Sequence, residues 1–150
     1  LKKIGRLRVV TATPETSLED AARLMREQHV GDVVLVELRN GKPVPVGVLT
    51  DRDIVLATIA IGAPTEPLAA GDIMTTNVVT ISEDSSLTEA IELMKERGIK
   101  RIPLTSPTGE LTGIVSLEDI TRFLARELSA LSEVGLRQKE IESERRRKFA

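Results

Sequence analysis

Apolar residues recur at helical spacing in two separate stretches, Leu18, Ala21, Ala22, Leu24 and Met25 in one and Leu87, Ala90, Ile91, Leu93 and Met94 in the other. Steps of three and four residues place such side chains along one face, so the pattern predicts amphipathic helices over about 18–28 and 87–97. Each stripe follows a polar cluster, TPETS or SEDSS, whose final Ser17 or Ser86 is placed to cap the helix by accepting a backbone N–H that has no intrahelical partner. Short β-rich runs precede the clusters, at 9–12 and 78–81. Paired β-rich runs follow the helices, at 33–37 with 46–49 and at 102–105 with 111–115. Asn40-Gly41 joins the first pair, and Pro107 with Gly109 the second, which is turn chemistry. Closing helices are predicted over about 52–61 and 117–131.

The chain is therefore written twice. Val9-Val10-Thr11 recurs as Val78-Val79-Thr80, and the same offset carries Ser17-Leu18 onto Ser86-Leu87 and Val30, Val33 and Leu35 onto Ile99, Ile102 and Leu104. After a longer turn in the first copy, Gly47-Val48-Leu49-Thr50 aligns with Gly113-Ile114-Val115-Ser116, and Asp53-Ile54 with Asp119-Ile120. Each copy reads β-α-β-β-α, with the Pro- and Gly-bearing connector GAPTEPLAAGD between them. A unit of about 60 residues is marginal alone, so the two are expected to pack together. The resulting expectation is an α/β chain of the α+β kind, a pseudo-twofold pair of repeats over 1–66 and 67–131 followed by a charged helical extension over 132–150.

Composition narrows the function classes. The chain has 150 residues, 41% hydrophobic and 29% charged, as in globular proteins and unlike disordered ones. A net charge of −2 supplies no global field toward nucleic acid or an anionic membrane, and two Phe with no Trp or Tyr leave few stacking platforms for single strands. Nucleic acid is thus an unexpected partner, and no apolar run has membrane-spanning length. The absence of Cys excludes thiolate chemistry and is compatible with a reducing compartment, the cytoplasm being the default expectation. His29, the single His, has no acidic companion at metal-binding spacing. There is no G-x-G-x-x-G, G-x-x-x-x-G-K-[ST], G-x-S-x-G or H-E-x-x-H. No metal, catalytic residue or catalytic cofactor is expected. An enzyme using Asp53 or Asp119 as general base ranks last among the readings, because neither has a partnered nucleophile in the sequence.

Chemistry concentrates in the repeated hydroxyl-x-x-Asp, Thr50 to Asp53 and Ser116 to Asp119. A hydroxyl at a helix start with a carboxylate one turn later has two readings. It is a common helix cap in proteins that bind nothing. It also places an anion-favouring helix end beside a carboxylate able to accept two hydroxyl hydrogen bonds.

The elements DIMTTNVVTI, SLEDAARLM, SLTEAIELM, GIKRIP, GVLTDRDI and GIVSLEDI together resemble a tandem pair of cystathionine-β-synthase (CBS) domains, a Bateman module, over roughly 7–128. The resemblance implies a regulatory module with adenosine-containing ligands (AMP, ADP or ATP, with S-adenosylmethionine or NAD as further candidates) in clefts between the copies. It also implies a homodimer. By the same resemblance Asp53 and Asp119 would hold ribose, and Thr50 and Ser116 would touch ribose or phosphate. The strands holding Thr11 and Thr80 would flank the base, which would lie among Ile81, Ile99 and Ile102. Lys100 and Arg101 match the basic position that meets phosphate, whereas the first copy has Gly31-Asp32 there, and Asp32 would repel phosphate. The expectation is therefore that Arg101, Ser116 and Asp119 form the better phosphate site. Arg52 has two readings, a cation for either cleft or a solvated helix residue. The alternative to ligand sensing is an interaction module whose clefts stay empty. A protein effector is expected for the regulatory reading but is not named by the sequence. A partner- or dimer-stabilising face at Leu124, Leu128, Leu131 and Val134 is the remaining candidate, and the basic cluster at 145–148 reads as a solvated end.

Overall fold

A computed structural model describes residues 1–148. In the first copy β1 (Thr11–Ala12) leads to α1 (Leu18–Gln28), β2 (Asp32–Arg39), β3 (Lys42–Thr50) and α2 (Asp51–Ala57). The short helix α3 (Ala70–Ile73) opens the second copy. There β4 (Ile81–Ser82), α4 (Leu87–Arg97), β5 (Arg101–Thr105), β6 (Leu111–Ser116) and α5 (Leu117–Lys148) repeat the order. The described residues form two three-stranded sheets, β1-β2-β3 and β4-β5-β6, each with its first pair parallel and its second antiparallel. The repeat extends to irregularities: the register slips after Leu35 in one sheet and after its counterpart Leu104 in the other.

The capping chemistry is as the sequence predicts. Ser17 Oγ accepts the Asp20 N–H at 3.1 Å and Ser86 Oγ accepts the Glu89 N–H at 3.2 Å. His29 ends α1 in the left-handed region at φ 54°, exposed. Two helices differ from expectation. The helix expected over 52–61 breaks at buried Thr58, whose backbone leaves the helical region at φ −123° and ψ −78° while its Oγ1–H donates to the Ile54 carbonyl at 2.6 Å, and a 3-10 turn (Ile59–Ile61) follows. At the other end α5 runs unbroken past residue 131, so the charged extension continues the closing helix. Every described residue of α5 from Leu124 onward is exposed. Residues 149–150 of the expected extension lie outside the described residues.

Each copy builds its own core. Leu18, Ala21, Met25, Val33, Leu35, Leu49 and Ile54 form one cluster, and Ala90, Met94, Ile102, Leu104, Val115 and Ile120 the other. The helical stripes thus face their own sheets except at Ala22 and Ile91, which are exposed.

The copies are tied by exchange. The segment leading into the first copy pairs with the second sheet, where the Arg6 N–H donates to the Ile114 carbonyl at 2.8 Å and the Arg6 carbonyl accepts the Ile114 N–H at 3.0 Å. The equivalent segment of the second copy pairs with the first sheet through Thr75 N–H and the Val48 carbonyl, at 3.1 Å. These crossings explain the Gly that opens both GVLT and GIVS. A Cβ on Gly47 would collide with the Met74 side chain, and one on Gly113 would lie 3.0 Å from the Arg6 carbonyl oxygen.

Candidate functional site

Both hydroxyl-x-x-Asp elements fold as reciprocal capping boxes at the strand-to-helix turns. Thr50 Oγ1 donates to Asp53 Oδ2 at 2.7 Å and accepts the Asp53 N–H at 3.1 Å, while the Thr50 N–H donates to the same Oδ2 at 2.9 Å. Ser116 and Asp119 repeat this at 2.6, 3.1 and 3.0 Å. The capping reading is therefore satisfied in full, and any further role must use what the caps leave over. That remainder differs between the copies. Asp53 is half-buried, and its Oδ1 has no hydrogen-bond or ion-pair partner among the described residues. Asp119 is only 7% exposed, with Arg122 Nη1 3.4 Å from Oδ1 and Arg6 Nε 3.7 Å from Oδ2.

A cavity of about 590 Å³ opens beside Asp53, walled by both copies. The first contributes Val48, Thr50, Asp51, Arg52 and Asp53, and the second Thr75, Val78, Val79, Gly98, Ile99, Lys100 and Arg101. Its size and its mixed lining of aliphatic and charged groups suit a nucleoside-sized molecule.

The structure regroups the sequence-predicted residues. Lys100 and Arg101 stand on the wall of the Thr50–Asp53 cavity, so the expected grouping of Arg101 with Ser116 and Asp119 is corrected. The reason is the crossing of the copies: Arg101 and Ser116 are cross-strand neighbours in register, yet the Arg101 side chain leaves the sheet toward the first copy. There its Nε lies 2.7 Å from Oδ1 of Asp32, which is itself 6% exposed. The Nε–H makes no hydrogen bond, so the pair is a charge contact across the seam. Asp32 therefore acts as the counter-ion of Arg101 rather than as an unpaired acid facing a ligand. The Lys100 and Arg101 charges also reach the second copy's closing helix. The Glu118 carboxyl is held below the ordinary carboxylate range, first by its own backbone N–H, against the opposing effect of desolvation, and then by the Ser116 hydroxyl and these two cations.

Among the apolar candidates, Ile99 lines the cavity, but Ile102 is fully buried in the second core and Ile81 packs against that core. Strand alternation accounts for this, since the face that fills the core cannot also face the cleft. Thr11 is exposed and Thr80 half-buried, and neither lines the cavity. Val78, Val79 and Thr75 do, and the sequence reading named none of them as a candidate site residue. Their signal lay in DIMTTNVVTI, whose crossing to the other sheet has no mark in periodicity. Among the described residues there is no cluster of His, Asp or Glu able to hold a metal ion, and no helix long and apolar enough to cross a membrane.

Comparison with known proteins matches the two-copy fold. The CBS domain family matches residues 1–59 and again 70–126. The chain is 37% identical over 118 residues to an uncharacterized protein of Methanopyrus kandleri, a match that takes in 79% of this chain and 59% of that protein. It is 36% identical over 112 residues to the CBS domain-containing protein YhcV of Bacillus subtilis, covering 75% of this chain and 76% of the relative. Among solved structures, the fold is similar to the CBS domain pair of protein MJ0100 in complex with 5′-methylthioadenosine and S-adenosyl-L-methionine. That match has a TM-score of 0.71 and 27% identity, and covers 84% of this chain and 95% of that one.

Proposed function

The chain belongs to the CBS domain family, and on that premise we propose that it is a regulatory module sensing an adenosine-containing small molecule in the cavity between Asp53 and Lys100. The observation that carries this reading is the unengaged Oδ1 of Asp53 in a cavity walled by both copies. Because the capping box uses Oδ2 alone, the helix start stays intact while Oδ1 is left to accept from a ribose hydroxyl. Val78, Val79 and Ile99 offer aliphatic surface for a base, and Lys100, Arg101 and Arg52 offer cations for phosphate. Support for the ligand class comes from the MJ0100 pair, whose two bound molecules are both adenosine derivatives.

The mechanism is regulatory rather than catalytic. A ligand here touches Asp53 in one copy and Lys100 in the other, so its binding free energy depends on how the two copies sit. It therefore favours one arrangement by its differential affinity. The output would pass to a protein effector or through a homodimer.

A second reading, an interaction module with empty clefts, is favoured by one observation: both caps are complete without ligand. Val55 and Ile59, 45% and 76% exposed, also line a groove between α1 and α2, which suits a second copy of the chain.

Calorimetry against AMP, ADP, ATP, S-adenosylmethionine, 5′-methylthioadenosine and NAD separates the two readings. The sensing reading expects heat with at least one of them, weakened about tenfold or more by Asp53→Ala, which corresponds to at least ~1.4 kcal/mol. Silence with all six at millimolar concentration leaves the interaction module.

A further inference from the structure

We propose that Arg6 decides which cleft is filled: its guanidinium occupies the second, so that ligand enters only the cavity beside Asp53. This rests on the adenosine-sensing reading of that cavity.

The pseudo-twofold relation makes the two clefts directly comparable. The crossing strand segment that brings Thr75 to the first cleft brings Arg6 to the second. A short hydroxyl side chain on one side is thus matched by a long cation on the other. The consequence is read at the two carboxylates. In the first cleft Asp53 keeps Oδ1 unpartnered among the described residues. In the second, Oδ2 of Asp119 accepts from the Ser116 N–H and hydroxyl and faces Arg6 Nε at 3.7 Å, while Oδ1 faces Arg122 Nη1 at 3.4 Å. The Arg122 side chain is 70% exposed, so its contact with Oδ1 can give way to a ribose hydroxyl, whereas Arg6 is carried into the cleft by the crossing segment and is the cation a ligand must displace. The opposite wall adds to the difference. Gly31 and Asp32 stand where the first cleft has Lys100 and Arg101, and the Asp32 carboxylate is held by Arg101. The wall of the second cleft opposite Asp119 therefore offers an anionic ligand no counterpart of Lys100 and Arg101. Arg6 itself is fixed by its backbone, through the two main-chain hydrogen bonds to Ile114. Removing its side chain thus opens the cleft without releasing the segment.

Calorimetric stoichiometry tests this, with AMP and with S-adenosylmethionine as probes, on the full chain and on Arg6→Ala, Asp53→Ala and the double variant. Arg6→Gln, which keeps most of the side-chain length, serves as a second variant, and circular dichroism melting checks that each protein folds. The expected result is one ligand per wild-type chain, none for Asp53→Ala, two for Arg6→Ala and Arg6→Gln, and one for the double variant. Two ligands on the wild type, or Arg6 variants that stay at one or bind less, overturn the role of Arg6. No ligand on the wild type but one on Arg6→Ala sustains that role and overturns the reading of the Asp53 cavity. Absence of binding by every variant overturns both.

Discussion

Replacing Asp32 by Asn tests the ion pair that joins the two copies. Asn keeps the side-chain volume but removes the charge that faces Arg101 Nε at 2.7 Å. The Asp32 side chain is 7% exposed and that of Arg101 29%, so the pair lies between the surface and interior limits. Two unit charges about 4 Å apart at an effective dielectric near 20 attract by ~4 kcal/mol, and desolvation of both groups opposes this. Solvent access to Arg101 reduces the net further, which leaves an expected destabilisation of about 1–3 kcal/mol. Urea unfolding of wild type, Asp32→Asn, Arg101→Met and the double variant gives the coupling energy, expected at about 1–2 kcal/mol and decreasing with salt. The same substitution acts oppositely on binding. Once freed of Asp32, Arg101 presents its full charge to the cavity, so AMP should gain about three- to tenfold over adenosine, or ~0.7–1.4 kcal/mol. A coupling energy below ~0.3 kcal/mol, or an unchanged ratio of AMP to adenosine affinity, would refute the assignment of Asp32 as the counter-ion of Arg101.

Three further outcomes follow from the same structure. Leu35→Ala and Leu104→Ala, both fully buried and equivalent in the two cores, should each cost ~2–5 kcal/mol in denaturant unfolding, and a cost near zero for either would show that its cluster is not a core. The Glu89 carboxyl is held below its ordinary range, chiefly by the Ser86 backbone N–H and then by the Ser86 hydroxyl. A folded value below the unfolded one contributes stability that is present above the unfolded value and lost as pH falls through the folded value. The acid limb of a pH-stability profile should therefore flatten in Glu89→Gln, and an unchanged limb contradicts the capping box. Ending the chain after Leu131 removes, among the described residues, only exposed helix and should leave the melting midpoint of the two-copy body unchanged, whereas a drop would show that α5 has a partner in solution.

The fold was legible because the repeat doubled every signal. Leu18-Ala21-Met25 and Leu87-Ala90-Met94 each declared a buried stripe, and Ser17 and Ser86 marked the helix starts by a local hydrogen bond that needs no tertiary context. Thr50-Asp53 and Ser116-Asp119 were legible in the same way, as turn-and-cap chemistry. The assembly of the clefts was not. Which strand faces Asp53 depends on the lead-in segments crossing to the opposite sheet, through single backbone pairings at Arg6 and Thr75 that have no compositional mark. Reading each copy by itself put Arg101 with Asp119, whereas the crossing puts it with Asp53 and pairs it with Asp32. Ile102 was misplaced for a related reason: an apolar residue at a strand start suits a core and a base pocket equally, and only the pleat of β5 decides between them.

A crystal structure grown with AMP tests the central claim most directly. One nucleotide per chain is expected, with its ribose hydroxyls on Asp53 Oδ1 and its base against Val78, Val79 and Ile99. Its phosphate is expected toward Lys100 and Arg101. A nucleotide seated on Asp119 with the Asp53 cavity empty would contradict it.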